Sequence, residues 1–180
     1  MGDVEQHHRR SIRLNGYDYT RDGAYLVTIC TQDRVRLFGT VVNGYMQMNE
    51  YGREVANCWM WLAERYSYVH LDQWIVMPDH IHGIVVVADR TGGAGRGGAG
   101  RGGLRTAPTS TKRKTLERLI GAFKTVSTKC INDVGSTPGA KVWQRNYYEQ
   151  IVRDGLQLHR ARRHIANIPS RWELDRENRV

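Results

Sequence analysis

The amino-acid sequence predicts an α+β fold. Three observations carry that prediction. Strand-like runs come in groups instead of alternating one for one with helices. The apolar period switches from about 2 in the β-branched runs to about 3.6 in three other segments. Strong turn signals, Asn43-Gly44 and the stretch Gly135-Ser136-Thr137-Pro138-Gly139, fall between them.

The elements follow in order. Residues 1–22 are polar and basic and form an N-terminal arm. Gly23 to Thr31 is rich in β-branched and aromatic residues and reads as a central strand. Arg36 to Val42 is a shorter strand, turned by Asn43-Gly44 into a return strand over Tyr45–Asn49. From Arg53 to Tyr66 the residues Val55, Trp59, Leu62 and Ala63 repeat at helical spacing. Tyr68–Leu71 and Trp74–Met77 read as strand, and a further apolar strand follows Pro78. At about 89–113 the chain carries a Gly-Gly-Ala-Gly-Arg repeat, which is read as a flexible insertion without a phosphate-loop signature. Thr115 suits a helix N-cap, and Leu119, Ile120, Phe123 and Val126 line one face of a helix running to about Ile131. Val142 to Arg153 reads as strand or extended chain, and Leu156 to Asn167 as a last, basic helix stopped by Pro169.

Composition narrows the class of function. The chain has 180 residues, 40% of them hydrophobic, with five Trp, enough for an ordinary core. A net charge of +9 points to a polyanionic partner, nucleic acid first. Cys30, Cys58 and Cys130 are scattered and form no CxxC pair, which suits a reducing cytoplasm. No apolar run approaches the roughly 20 residues a membrane helix needs. No membrane partner is therefore expected, and the polar N-terminus lacks a signal core.

The strand after Pro78 carries the chemistry. Residues two apart in a strand face the same side, so His80 and His82 project together, while Ile81, Gly83 and Val85 face the opposite way. Two imidazoles on one sheet face can hold a divalent cation or can be surface histidines.

Context favours the cation. Tyr25-Leu26-Val27-Thr28-Ile29-Cys30-Thr31, Val76-Met77-Pro78-Asp79-His80-Ile81-His82-Gly83-Ile84, Gly121-Ala122-Phe123-Lys124, Trp143-Gln144-Arg145-Asn146-Tyr147-Tyr148-Glu149 and Trp172-Glu173-Leu174-Asp175-Arg176-Glu177-Asn178 together resemble the HUH single-tyrosine transposases, and most closely their REP-associated branch. The likeness runs from about Arg10 to Asn178, leaving out the Gly/Arg insertion, and makes residues 23–178 a single transposase-like domain. It implies a ferredoxin- or RRM-like antiparallel sheet with helices packed on one face. It also implies binding of hairpins in single-stranded DNA by a monomer or homodimer, and cleavage and rejoining by a tyrosine on a late helix. Mg2+ or Mn2+, held by His80 and His82, would polarise the scissile phosphate.

The chain departs from this pattern where the chemistry lies. The family motif Tyr-Ile-x-x-Asn-Pro corresponds here to His164-Ile165-Ala166-Asn167-Ile168-Pro169. His164 stands at the nucleophile position and Ile168 at a ligand position, and Gln150 stands where a His is expected. Three consequences are open. The protein keeps DNA binding but has lost or impaired catalysis. Alternatively, Tyr147 or Tyr148 supplies the hydroxyl. Or His164 joins His80 and His82 in a three-His site suited to Zn2+ or Mn2+ and water-based phosphodiester hydrolysis. A non-catalytic hairpin-binding module is the rival class. An unrelated HxH hydrolase would need the usual barrel of about 250 residues.

The basic residues expected to meet phosphates are Arg9, Arg10 and Arg13 in the arm, Lys112, Arg113, Lys114 and Arg118 around the middle helix, and Arg160, Arg162 and Arg163 in the last helix. Tyr17 and Tyr19 suit either stacking on unpaired bases or a structural role. Trp143 and Trp172 suit packing.

Overall fold

The structure is a computed structural model that describes residues 22–88 and 113–177. Residues 1–21 of the arm and 89–112 of the insertion, including Arg9, Arg10, Arg13, Tyr17, Tyr19 and Lys112, lie outside the described residues.

Alternation decides the central sheet. In β1 (Gly23–Cys30), Tyr25, Val27 and Ile29 are fully buried on one face, while Leu26 and Thr28 turn to the other. In β5 (His80–Val87), Ile81, Val85 and Val87 share the first face, and His80, His82 and Ile84 the second. β1 pairs antiparallel with β5, placing Thr28 opposite His82. β4 (Val69–Met77) flanks β5, and β6 (Tyr148–Val152) flanks β1, for the order β4-β5-β1-β6. A separate hairpin joins β2 (Gly39–Val42) to β3 (Tyr45–Met48). Its turn residues Asn43 and Gly44 have φ of 52° and 74°, the paired positive values that a two-residue turn of this hand requires.

Two helices back the first face. α1 (Glu50–Arg65) is capped by Asn49, whose side chain accepts from the Gly52 amide at 3.0 Å. α2 (Leu116–Gly135) is capped by Thr115, as the sequence predicts, and ends at Ser136 in the left-handed region. Trp59 of α1 meets Phe123 of α2 edge to face at 5.0 Å. Trp143 packs on Phe38 and Phe123, and its indole N–H donates to Ser127 Oγ at 2.9 Å. Gly83 is explained here: a Cβ on it would lie 2.6 Å from Trp59 Cζ2, so only glycine lets α1 come this close to the HxH strand.

α3 (Gly155–Glu177) crosses the opposite face, the one that carries the histidines. The antiparallel sheet with helices on one face is thus present, and α3 adds cover on the second face over part of its area. Ala161, Ile165 and Ile168 pack against Met77, Ile84 and Val41. The irregularity of β4 between Leu71 and Trp74 carries Asp72, whose carboxylate accepts two bonds from Arg162 at 2.8 and 2.6 Å and pins the helix.

Pro169 does not stop this helix; it sits inside it. An interior proline costs a helix about 3 kcal/mol or more. Ile168 is buried and Trp172 half-buried on either side of Pro169, and burying a large apolar side chain contributes about 1.5–3 kcal/mol each. Packing of the apolar stripe past the proline therefore overrides the local stop signal.

Candidate functional site

His80 and His82 lie side by side, ring centroids 4.6 Å apart and planes nearly perpendicular. Each Nδ1 is engaged. The Asp79 carboxylate meets His80 Nδ1, and Thr28 Oγ1 meets His82 Nδ1 at 2.7 Å across the β1–β5 register. These contacts engage Nδ1 of each ring and leave Nε2 as the nitrogen turned to other partners; carboxylate and hydroxyl partners of this kind fix the orientation of metal-binding imidazoles. Burial, reinforced by electrostatic repulsion from the neighbouring basic groups His80, His164 and Arg34, pushes His82 down to about 3. Its ring is neutral at physiological pH, the form in which imidazole binds metal.

A cavity of about 680 Å³ opens over the pair. The segment Thr31–Phe38 builds one wall because the Pro78-Asp79 turn holds it. Thr31 donates from its amide and its hydroxyl to Asp79 O at 2.8 and 3.0 Å, and the Leu37 and Phe38 amides donate to Pro78 O. Within that segment Asp33 and Arg34 take positive φ, 53° and 56°, a conformation that costs non-glycine residues about 1 kcal/mol or more each. The strained turn brings the Arg34 guanidinium to 3.6 Å from the Asp79 carboxylate and Arg36 to 5.9 Å from the centroid of the Trp172 ring. Trp172 in turn stands 5.6 Å from His80. Arg171 of α3 completes the cationic rim.

The predicted site residues divide. His80, His82 and His164 all line this cavity. The His164 ring stands edge-on to His82 at 5.8 Å, but among the described residues no group of three or more His, Cys, Asp and Glu side chains is placed to hold a metal ion. Ile168 is buried among apolar side chains, so the position of the expected polar ligand is given to packing. Tyr147 packs against the core behind the sheet, with the Lys124 ammonium 5.7 Å from its ring centroid. Tyr148 faces the other way, in register with Thr28 and so with His82.

The basic residues scatter. Arg160 borders a second cavity beside His82, and Arg163 is exposed on α3. Arg162 is engaged by Asp72 and docks the helix. Arg113 is paired with Asp22 at 2.6 Å, and Lys114 donates to Tyr66 Oη at 2.9 Å. These two precede α2 and Arg118 lies in its first turn; that helix packs behind the sheet, away from the histidines. The cations that do ring the histidines, Arg34, Arg36 and Arg171, were not singled out from sequence. Arg34-Val35-Arg36 is too short to register as a basic run. Asp79 and Thr28 were visible only as parts of longer motifs, since their use depends on strand register.

No family model matches the chain. An uncharacterized protein of Haemophilus influenzae is 34% identical over 169 residues, spanning 94% of this chain and 92% of its own length. Among solved structures, a REP-associated tyrosine transposase bound to a REP hairpin superposes with a TM-score of 0.54 at 11% identity, over 83% of this chain and 67% of that one. A provisionally assigned transposase of Deinococcus radiodurans is similar at a TM-score of 0.48 and 13% identity, over 86% and 96% of the two chains. The chain shares the fold of the hairpin-bound transposase, and it belongs to the same protein family as the Haemophilus influenzae protein.

Proposed function

We propose that this protein binds single-stranded DNA bearing a hairpin and seats a strand phosphate over His80 and His82. The observation that carries the reading is the cavity itself: two Nδ1-anchored imidazoles at its floor and Arg34, Arg36 and Arg171 at its rim. Guanidinium groups around the two imidazoles suit a phosphodiester, and the net charge of +9 draws the polyanion in. The hairpin bound to the structurally similar transposase supplies the form of the partner.

His80 and His82 would hold Mn2+ by their imidazole nitrogens, or Mg2+ with water and phosphate oxygens completing its shell. When bound, it would supply Lewis-acid polarisation of the phosphate. The chain's own part is to hold the strand: Asp79 and Thr28 fix the imidazoles, Arg34 and Arg36 neutralise the backbone, and α3 closes one side. His164 offers no phenol and Ile168 no ligand, so the reading is binding without a phosphotyrosine step. Metal-dependent cleavage and rejoining is the second reading, favoured by the orientation that Asp79 and Thr28 impose on the two imidazoles.

A labelled hairpin-bearing strand incubated with the protein and Mn2+ separates these. Retarded migration that weakens with salt, without a denaturation-resistant adduct, is the expected result. An adduct, or cut DNA without one, establishes catalysis by a protein nucleophile or by water respectively. Absence of any salt-sensitive binding overturns both readings.

A further inference from the structure

α3 lies over the β4–β5 side of the histidine face and leaves the β6 side open. A second cavity of about 620 Å³ opens there, and Thr28, His82 and His164 line both cavities. Its floor includes Tyr148 and Gln150 of β6, both exposed, with Arg160 of α3 at its edge. Tyr148 is 44% exposed, although it lies in a strand within register of the site. The row His82, Thr28, Tyr148 crosses three adjacent strands, so the tyrosine stands two strand spacings, roughly 10 Å, from His82. The segment before β6 is held firmly: Lys124 Nζ donates to the carbonyls of Gln144, Arg145 and Asn146 at 2.8, 3.2 and 3.1 Å.

The geometry points to this second cavity as a nucleobase subsite, in which the base next to the phosphate at His82 stacks on the Tyr148 ring. The inference rests on the single-strand binding reading above. A phosphate over His82 leaves its own nucleotide free to reach across Thr28, and the exposed ring offers the flat apolar surface a base would meet there. Arg160 at the cavity's edge is placed for the next phosphate, and Gln150, which lines the same cavity two residues along β6, offers a carboxamide for a base edge. Stacking of this kind tolerates any base, because each has a π face.

The test is fluorescence anisotropy with a labelled hairpin strand at fixed salt, using wild type, Tyr148→Phe and Tyr148→Leu. A matched strand with an abasic site beside the bound phosphate is measured alongside. Tyr148→Phe should bind within about twofold of wild type, and Tyr148→Leu should bind about 5- to 150-fold more weakly. Wild type should lose a similar factor on the abasic strand, where Tyr148→Leu costs nothing further. That measurement on unaltered protein stands even if a variant folds poorly. Equal binding by wild type and Tyr148→Leu, no abasic penalty, or Tyr148→Phe as weak as Tyr148→Leu each overturns the subsite. So does a denaturation-resistant DNA adduct that Tyr148→Phe abolishes, which would make Tyr148 the nucleophile. Failure of wild type to bind single strands at all sinks the parent reading as well, and the inference with it.

Discussion

Acid should unfold this protein through His82. The ring is neutral in the fold, with its titration pushed from the ordinary 6.5 down to about 3 by burial and by neighbouring positive charge. The unfolded chain takes up a proton below about pH 6.5, whereas the folded chain does not, so stability present above that value is lost as pH falls toward 3. Each unit of pH in that window removes about 1.4 kcal/mol, so by about pH 5 the loss is about 2 kcal/mol. That is a substantial share of a typical domain's stability of about 5–15 kcal/mol. The assay is urea unfolding at pH steps from about 7 to 5, on wild type and on His82→Gln, whose amide does not titrate. Wild type should fall about 2 kcal/mol further than the variant across the range. Parallel curves would show that His82 is solvated and protonated in the fold, and the buried-imidazole account would be wrong.

Further outcomes follow from the packing, the charges and the histidine pair. Ser127→Ala leaves the buried Trp143 indole N–H without its acceptor and should cost about 1–3 kcal/mol, read as a lower urea midpoint at unchanged slope. Gly83→Ala forces a methyl into Trp59 and should cost about 1–3 kcal/mol; a Trp59→Leu background should relieve most of that penalty in a double-mutant cycle. Replacing both Arg34 and Arg36 by Gln should flatten the log–log dependence of single-strand affinity on salt by about 1.4, or about 0.7 per phosphate contact; Arg162→Gln should leave that slope alone but speed amide exchange in α3, because Asp72 loses its partner. Mn2+ at about one hundred times its dissociation constant should stabilise wild type by about 2.7 kcal/mol and leave His80→Ala unchanged in a thermal melt.

Much of the fold was legible because local signals and burial agree. The β-branched and apolar residues of Gly23–Cys30 and His80–Val87 predict two strands, and side-chain alternation sends His80 and His82 to one face. Asn43-Gly44 predicts the hairpin, and Thr115 predicts the cap of α2. The last helix runs past its sequence-predicted end because Pro169 is only a local stop signal, while the stripe Ile165, Ile168 and Trp172 that overrides it acts through distant partners.

By itself the sequence determined which residue types could do the chemistry and which strand presents them, because side-chain alternation is a property of the backbone alone. It also puts His164 and Ile168 where the resemblance leads one to expect a tyrosine and a polar ligand. Only the tertiary structure decided the environment. Strand register set Thr28 against His82 and Tyr148 in the same row, a strained turn carried Arg34 to Asp79, and an ion pair through Asp72 committed Arg162 to docking α3. These are contacts between residues far apart along the chain. They depend on how strands pair and helices dock, and no local pattern encodes them.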